Sequence, residues 1–146
     1  SSRLQRRIEL LPTLVRGCHH ASITTVTRGR LEVRAATDHT SRRAAELQDE
    51  LDEGPCLQAV RTGHSVVAHD LRVETRWSHW CAAALGELEV TAALSVLLTS
   101  PTSAPAILNL YSSTRRGLRG VEIALLHALA GPLVDALREP VSPATG

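Results

Sequence analysis

Apolar positions recur along the chain with two different periods. Leu4, Ile8, Leu11 and Val15 are spaced four, three and four apart, which puts them on one stripe of a helix over residues 3–16. Pro12 lies inside that stretch and predicts a kink or break, and Gly17 suits a stop. From residue 21 the period becomes two. Ile23, Thr25 and Thr27 alternate with Thr24 and Val26, then Leu31, Val33 and Ala35 alternate with Glu32, Arg34 and Ala36. Arg28-Gly29-Arg30 between them reads as the turn of a hairpin over 21–37. His39 to Ser41 form a polar break, and residues 42–51 a surface helix with Ala45, Leu47 and Leu51 among charges.

Gly54-Pro55 and Gly63 bracket a short helix, Cys56 to Thr62, because Pro suits the first helical turn and Gly the residue after the last. Ser65 to Ala68 reads as a short strand, and Thr75 to Leu85 as a helix capped by Thr75 and ended by Gly86. Val90–Thr99 and Ile107–Ser112 are apolar β runs, joined by a loop, Ser100 to Ala106, that holds two prolines. Residues 120–138 form the longest helix, with Leu126, Leu129, Leu133 and Leu137 on one face. Val121, Leu125 and Ala128 form a second face, and Pro132 predicts a kink. The Pro-, Ser- and Thr-rich stretch 139–146 reads as a flexible tail or linker after a domain over 1–138. Strands arriving as hairpins, with helices between and at both ends, predict an α+β domain with an antiparallel sheet.

Composition narrows the chemistry. The 146 residues are the size of one domain, and 43% hydrophobic content is enough for a core. That core must be aliphatic, because Phe and Met are absent and Trp77, Trp80 and Tyr111 are the only aromatics. A formal charge of +1 gives no electrostatic case for a nucleic-acid or membrane surface. Three cysteines, Cys18, Cys56 and Cys81, are too few and too scattered for a disulfide framework and point to a reducing, cytoplasmic setting. No apolar run reaches the roughly 18 residues of a membrane span. The start at Ser1-Ser2 without Met is expected of a piece excised from a longer protein.

The run Asp49-Glu50-Leu51-Asp52-Glu53-Gly54-Pro55-Cys56-Leu57-Gln58-Ala59-Val60 carries a resemblance. It continues in Gly63-His64-Ser65-Val66-Val67-Ala68-His69-Asp70-Leu71, Arg76-Trp77 and Leu108-Asn109-Leu110-Tyr111-Ser112. In this order the pieces resemble GAF domains, in particular those of actinobacterial GAF–ANTAR transcription antitermination regulators, over about residues 3–138. Ser78, Ala106-Ile107 and Leu118 stand where relatives usually carry Pro, Gly and Phe. The resemblance implies a central antiparallel sheet of about six strands. Terminal helices would lie on one face and form a dimer interface, and middle helices and loops would cover a pocket on the other. It implies a small-molecule ligand, unidentified, and no enzyme activity. In such regulators RNA is bound by a separate ANTAR domain, for which the stretch after the last helix is too short, so this domain itself is expected to bind no nucleic acid.

Within that frame Cys56, Asp70, Arg76, Trp77, Trp80, Asn109 and Tyr111 are the candidate pocket residues. Indoles supply apolar area, and Arg with Asn can orient a polar ligand. The plainer alternative makes the indoles core plugs, Asn109 the partner of a buried group and Arg76–Asp70 an ion pair. Cys56 in the first turn of a helix, with Cys81 nearby, raises a thiol reductase like the GAF-fold free methionine sulfoxide reductases. A small buried hydrophobe explains the same cysteines. His69 or His79 is a conceivable haem ligand, but the histidine and cysteine spacings match no zinc pattern, and no catalytic or metal-ligating residue is assigned. No nucleophile elbow, phosphate loop or metalloprotease motif is present. A third reading is a GAF domain used only for dimerisation, through the stripes of the first and last helices.

Overall fold

The computed structural model describes residues 2–100 and 103–139. Two short helices, α1 (Arg3–Ile8) and α2 (Leu11–Leu14), lead into strands β1 (His20–Thr27) and β2 (Arg30–Ala36). Helices α3 (His39–Leu51) and α4 (Pro55–Thr62), strand β3 (Val66–Ala68) and helix α5 (Ser78–Leu88) follow. The chain ends in β4 (Ala92–Ser100), β5 (Ser103–Ser112) and α6 (Ile123–Leu137). Among the described residues the sheet is antiparallel in the order β2-β1-β5-β4-β3, five strands where the resemblance implies about six.

The two faces of the sheet bury different material. Ile23 of β1, Leu94 and Val96 of β4, and Leu108 and Leu110 of β5 pack with Leu4, Ile8, Leu11, Val15, Leu126 and Leu133. The amino-terminal stripe therefore covers the sheet and α6 within the chain. On the other face α3, α4 and α5 cover Ala93 and Tyr111, with Trp77 and Trp80 in the same cluster. Alternation along β5 does the sorting, since neighbouring strand residues point to opposite faces.

Several boundaries differ from those expected. The first helix is broken at Glu9-Leu10, and Pro12 lies in the first turn of α2, where its missing N–H costs nothing. Helix α3 starts at His39 rather than after Ser41, because Asp38 and Ser41 form a capping box. Helix α5 starts at Ser78 rather than Thr75 and runs through Gly86 to a left-handed Glu89. The expected Ser100–Ala106 loop is mostly strand: Ser103 pairs with Ser100, and a register shift near Leu98 spares the sheet the hydrogen bond that Pro105 cannot donate. Of the predicted tail only Glu139 falls within the described residues.

Candidate functional site

The loop Asp52-Glu53-Gly54-Pro55 organises the helical face of the sheet. Asp52 ends α3 in the left-handed conformation, and Pro55 opens α4 at its first position. Gly54 between them has φ +138, and a Cβ there would sit 2.4 Å from the Gln48 side chain. Gln48 occupies that space for a reason. Its Oε1 accepts the backbone N–H groups of Cys56 (2.7 Å) and Leu57 (3.4 Å), donors that the start of α4 otherwise leaves unpaired. Glu53 does the equivalent for α5, accepting the Trp80 backbone N–H at 2.9 Å. Trp77, the residue that precedes α5, makes no side-chain cap of its own.

Cys56, Trp80, Asn109 and Tyr111 are fully buried. Asn109, on the central strand, lies opposite Ser22 of β1 and Ser95 of β4. Ser95 Oγ donates to Asn109 Oδ1 at 2.9 Å, and Asn109 Nδ2 donates to Ser22 Oγ and Thr24 Oγ1 at 3.3 Å each. Thr24 Oγ1 lies 3.2 Å from Cys56 Sγ. Gln48 Nε2 donates to the Tyr111 hydroxyl at 3.3 Å, and Trp80 Nε1 donates to the Ala44 carbonyl at 3.0 Å. These groups satisfy one another, as buried polar atoms must. These side chains are packed together beneath α3, α4 and α5.

The remaining candidates lie further out. Trp77 and Trp80 meet edge to face with ring centroids 6.3 Å apart. Trp77 Nε1 donates to Gln58 Oε1 at 3.0 Å, and the Arg76 guanidinium stacks 4.4 Å above the Trp77 ring. Arg76 and Trp77, with Glu53, Gln58, Arg61 and Thr62, line a concavity of about 340 Å3 between α4 and the start of α5. Arg76 pairs with Glu74 at 2.7 Å and Asp70 with Arg72 at 3.2 Å, so Arg76 and Asp70 are not an ion pair. The Arg76 hydrogen bond holds the Glu74 carboxyl below its usual range, and Arg72 does the same for Asp70.

The cysteines are all reduced and buried. Burial pushes the Cys56 thiol up to about 12 and the Cys18 thiol to about 12. Burial, with the charges of Glu74 and Glu53, pushes Cys81 up to about 11. The position of Cys56 in the first turn of α4 does not make it a thiolate, because burial dominates. Among the described residues no group of His, Cys, Asp and Glu is arranged to hold a metal ion.

Sequence reasoning missed Gln48 and Gln58, and missed the capping role of Glu53. Gln48 carried a faint signal: it shares the buried side of α3 with Ala44, Ala45 and Leu47.

An antiparallel sheet with terminal helices on one face and capped middle helices on the other defines a class of small α+β domain. The chain belongs to the GAF domain family, whose model matches residues 4–138. GAF domains are commonly sensory or regulatory modules. Solved structures share the fold. A type II free methionine-R-sulfoxide reductase from Thermoplasma acidophilum superposes with TM-score 0.70 at 15% identity, covering 92% of this chain and 89% of that one. A free methionine-R-sulfoxide reductase from Neisseria meningitidis, in complex with its substrate, gives 0.67 at 16%, covering 91% and 74%. NreA from Staphylococcus aureus, mutated in its nitrate binding site, gives 0.64 at 14%, covering 86% and 97%. No curated protein matches the chain. Among the described residues no helix is long and apolar enough to cross a membrane.

Proposed function

We propose that this chain is a sensory and self-associating module of a cytoplasmic signalling or transcriptional regulator, of the kind found in actinobacterial GAF–ANTAR proteins. It takes a small polar molecule at the concavity beside Arg76 and Trp77. The observation that carries this reading is the wiring of that concavity. Gln58 on its wall holds Trp77, Trp77 packs on Trp80, and Trp80 is bonded to α3 through Ala44. A ligand that takes Gln58 or the Arg76 guanidinium competes with these bonds, so its affinity differs between two arrangements of α4 and α5. That difference is all a ligand needs to shift an equilibrium. RNA contact in this reading belongs to a partner domain.

The thiols argue against a reductase. The thiolate is the attacking species, and thiols pushed to about 11 and 12 supply almost none at neutral pH. The test is native mass spectrometry of the protein purified from its own host, followed by denaturation to release a bound compound. A ligand retained by the parent and lost in Arg76→Gln is the expected result. A parent that carries no compound, and captures none from host extract, reduces the domain to a dimerisation module and overturns the sensor reading.

A further inference from the structure

The end of β3 carries a basic concavity that neither the buried network nor the Arg76 site uses. His69 follows β3, and Arg116 and Arg119 lie in the loop between β5 and α6. Together these three residues line a depression of about 360 Å3, within the size range of small-molecule sites. All three are exposed.

Among the described residues some arginines are paired with carboxylates and others, Arg116 and Arg119 included, are not. Arg3, Arg30, Arg43, Arg61, Arg72 and Arg76 each pair with a carboxylate. Among the described residues Arg116 and Arg119 make no side-chain hydrogen bond or ion pair. The segment Ser112–Gly120 contains no acidic residue and also holds Arg115. Asp70, next to His69, is held by Arg72, and Glu122 lines a neighbouring groove together with Arg119.

The loop is built rather than slack. The Arg116 N–H donates to the His69 carbonyl at 2.9 Å, which ties the loop to the end of β3. Gly117 N–H donates to Thr114 O at 2.9 Å and Arg119 N–H to Arg116 O at 3.0 Å, closing two consecutive turns. The loop backbone also lies so close to the first β-strand's approach that a Cβ on Gly17 would fall 1.8 Å from the Gly117 carbonyl oxygen. Arg116 takes φ +59 at a turn position that Gly or Asn usually fills. The other non-glycine residues with positive φ, Arg28, Asp52 and Glu89, sit in the hairpin turn or at helix ends, where that conformation is routine.

We infer that His69, Arg116 and Arg119 form a recognition site for the phosphate group of a small anionic molecule. Two guanidiniums present planar, multidentate donors to phosphate oxygens, and the imidazole adds a third donor side. Clustered positive charge is self-repelling, and a bound dianion relieves that repulsion. The concave shape selects a small ligand over an extended surface.

The test is an NMR titration of the labelled chain with sodium pyrophosphate, against sodium chloride of equal ionic strength, with ADP as an organic phosphate source. Saturable shifts confined to the amides of residues 69–71 and 115–120, with a dissociation constant at or below about 1 mM, are expected. The double variant Arg116→Gln/Arg119→Gln weakens binding at least about tenfold, a change of roughly 1.4 kcal/mol. Its Trp80 indole signal stays in place, which shows that the fold is intact. Binding of ADP equal to that of pyrophosphate identifies the phosphate alone as the ligand, and tighter ADP binding adds the nucleoside to the same site. Shifts matched by sodium chloride, or retained in the double variant, overturn the site. So does an acidic peptide that moves these amides where pyrophosphate does not, because the patch then serves a protein partner.

Discussion

Gln48 shows how one side chain sets the geometry of a helical face. It accepts from the start of α4 and donates to Tyr111, and Gly54 leaves it room. Gly54→Ala introduces a Cβ into that space at a φ of +138, a region essentially reserved for glycine. The expected loss is about 3 kcal/mol of stability, from backbone strain and displaced hydrogen bonds together. Gln48→Met removes the acceptor at similar volume and leaves the Cys56 N–H buried and unpaired, a loss of about 2 kcal/mol. Because both changes break the same bonds, the double variant loses less than the sum. Denaturant unfolding of the four proteins checks this, and simple additivity would separate the two residues.

At the scale of elements, periodicity carried most of the architecture, and the misplaced boundaries have local causes. Alternation located β1 and β2, apolar runs located β4 and β5, and the Gly54-Pro55…Gly63 frame placed α4 to within one residue of its start. The start of α3 went unseen because His39 to Ser41 are polar, while the side chain that caps them, Asp38, does its work from outside the helix. Helix α5 was misjudged because its cap is Glu53, far away in sequence. The buried network was legible only in part. Asn109 stood out within an apolar strand, but its partners Ser22, Thr24 and Ser95 are brought to it by strand order, which no local pattern encodes. The β5–α6 loop offers a test at this same scale. Arg116→Gly removes a Cβ from a left-handed residue and is expected to stabilise the protein by about 1 kcal/mol, seen as a raised melting temperature. An unchanged or lowered melting temperature would show that the Arg116 side chain contributes to folding itself.

At the scale of the whole molecule, the packing of the terminal helices leaves an apolar surface over. The stripe of Leu4, Ile8, Leu11 and Val15 is consumed inside the chain, and so are Leu126 and Leu133 of α6. What remains are Leu10 (54% exposed), Leu14 (56%), Ile123 (38%) and Leu125 (53%). Leu14 and Leu125 line one groove of about 490 Å3 between the end of α2 and the start of α6, with Val15, Val121 and Leu126. Contiguous exposed apolar area of this kind favours association. A second copy presenting the same face would cover it by twofold symmetry, each Leu14 seated in the partner's groove. Sedimentation equilibrium is therefore expected to show a dimer of the 15.7 kDa chain, with Leu14→Glu/Leu125→Glu monomeric at the same concentration. Both side chains are more than half exposed, so the variant should keep its circular dichroism and melting behaviour apart from the stability that association supplies. A parent that stays monomeric at high micromolar concentration would leave this groove to another domain of the same regulator, and the sensor would then signal along a chain rather than across a dimer.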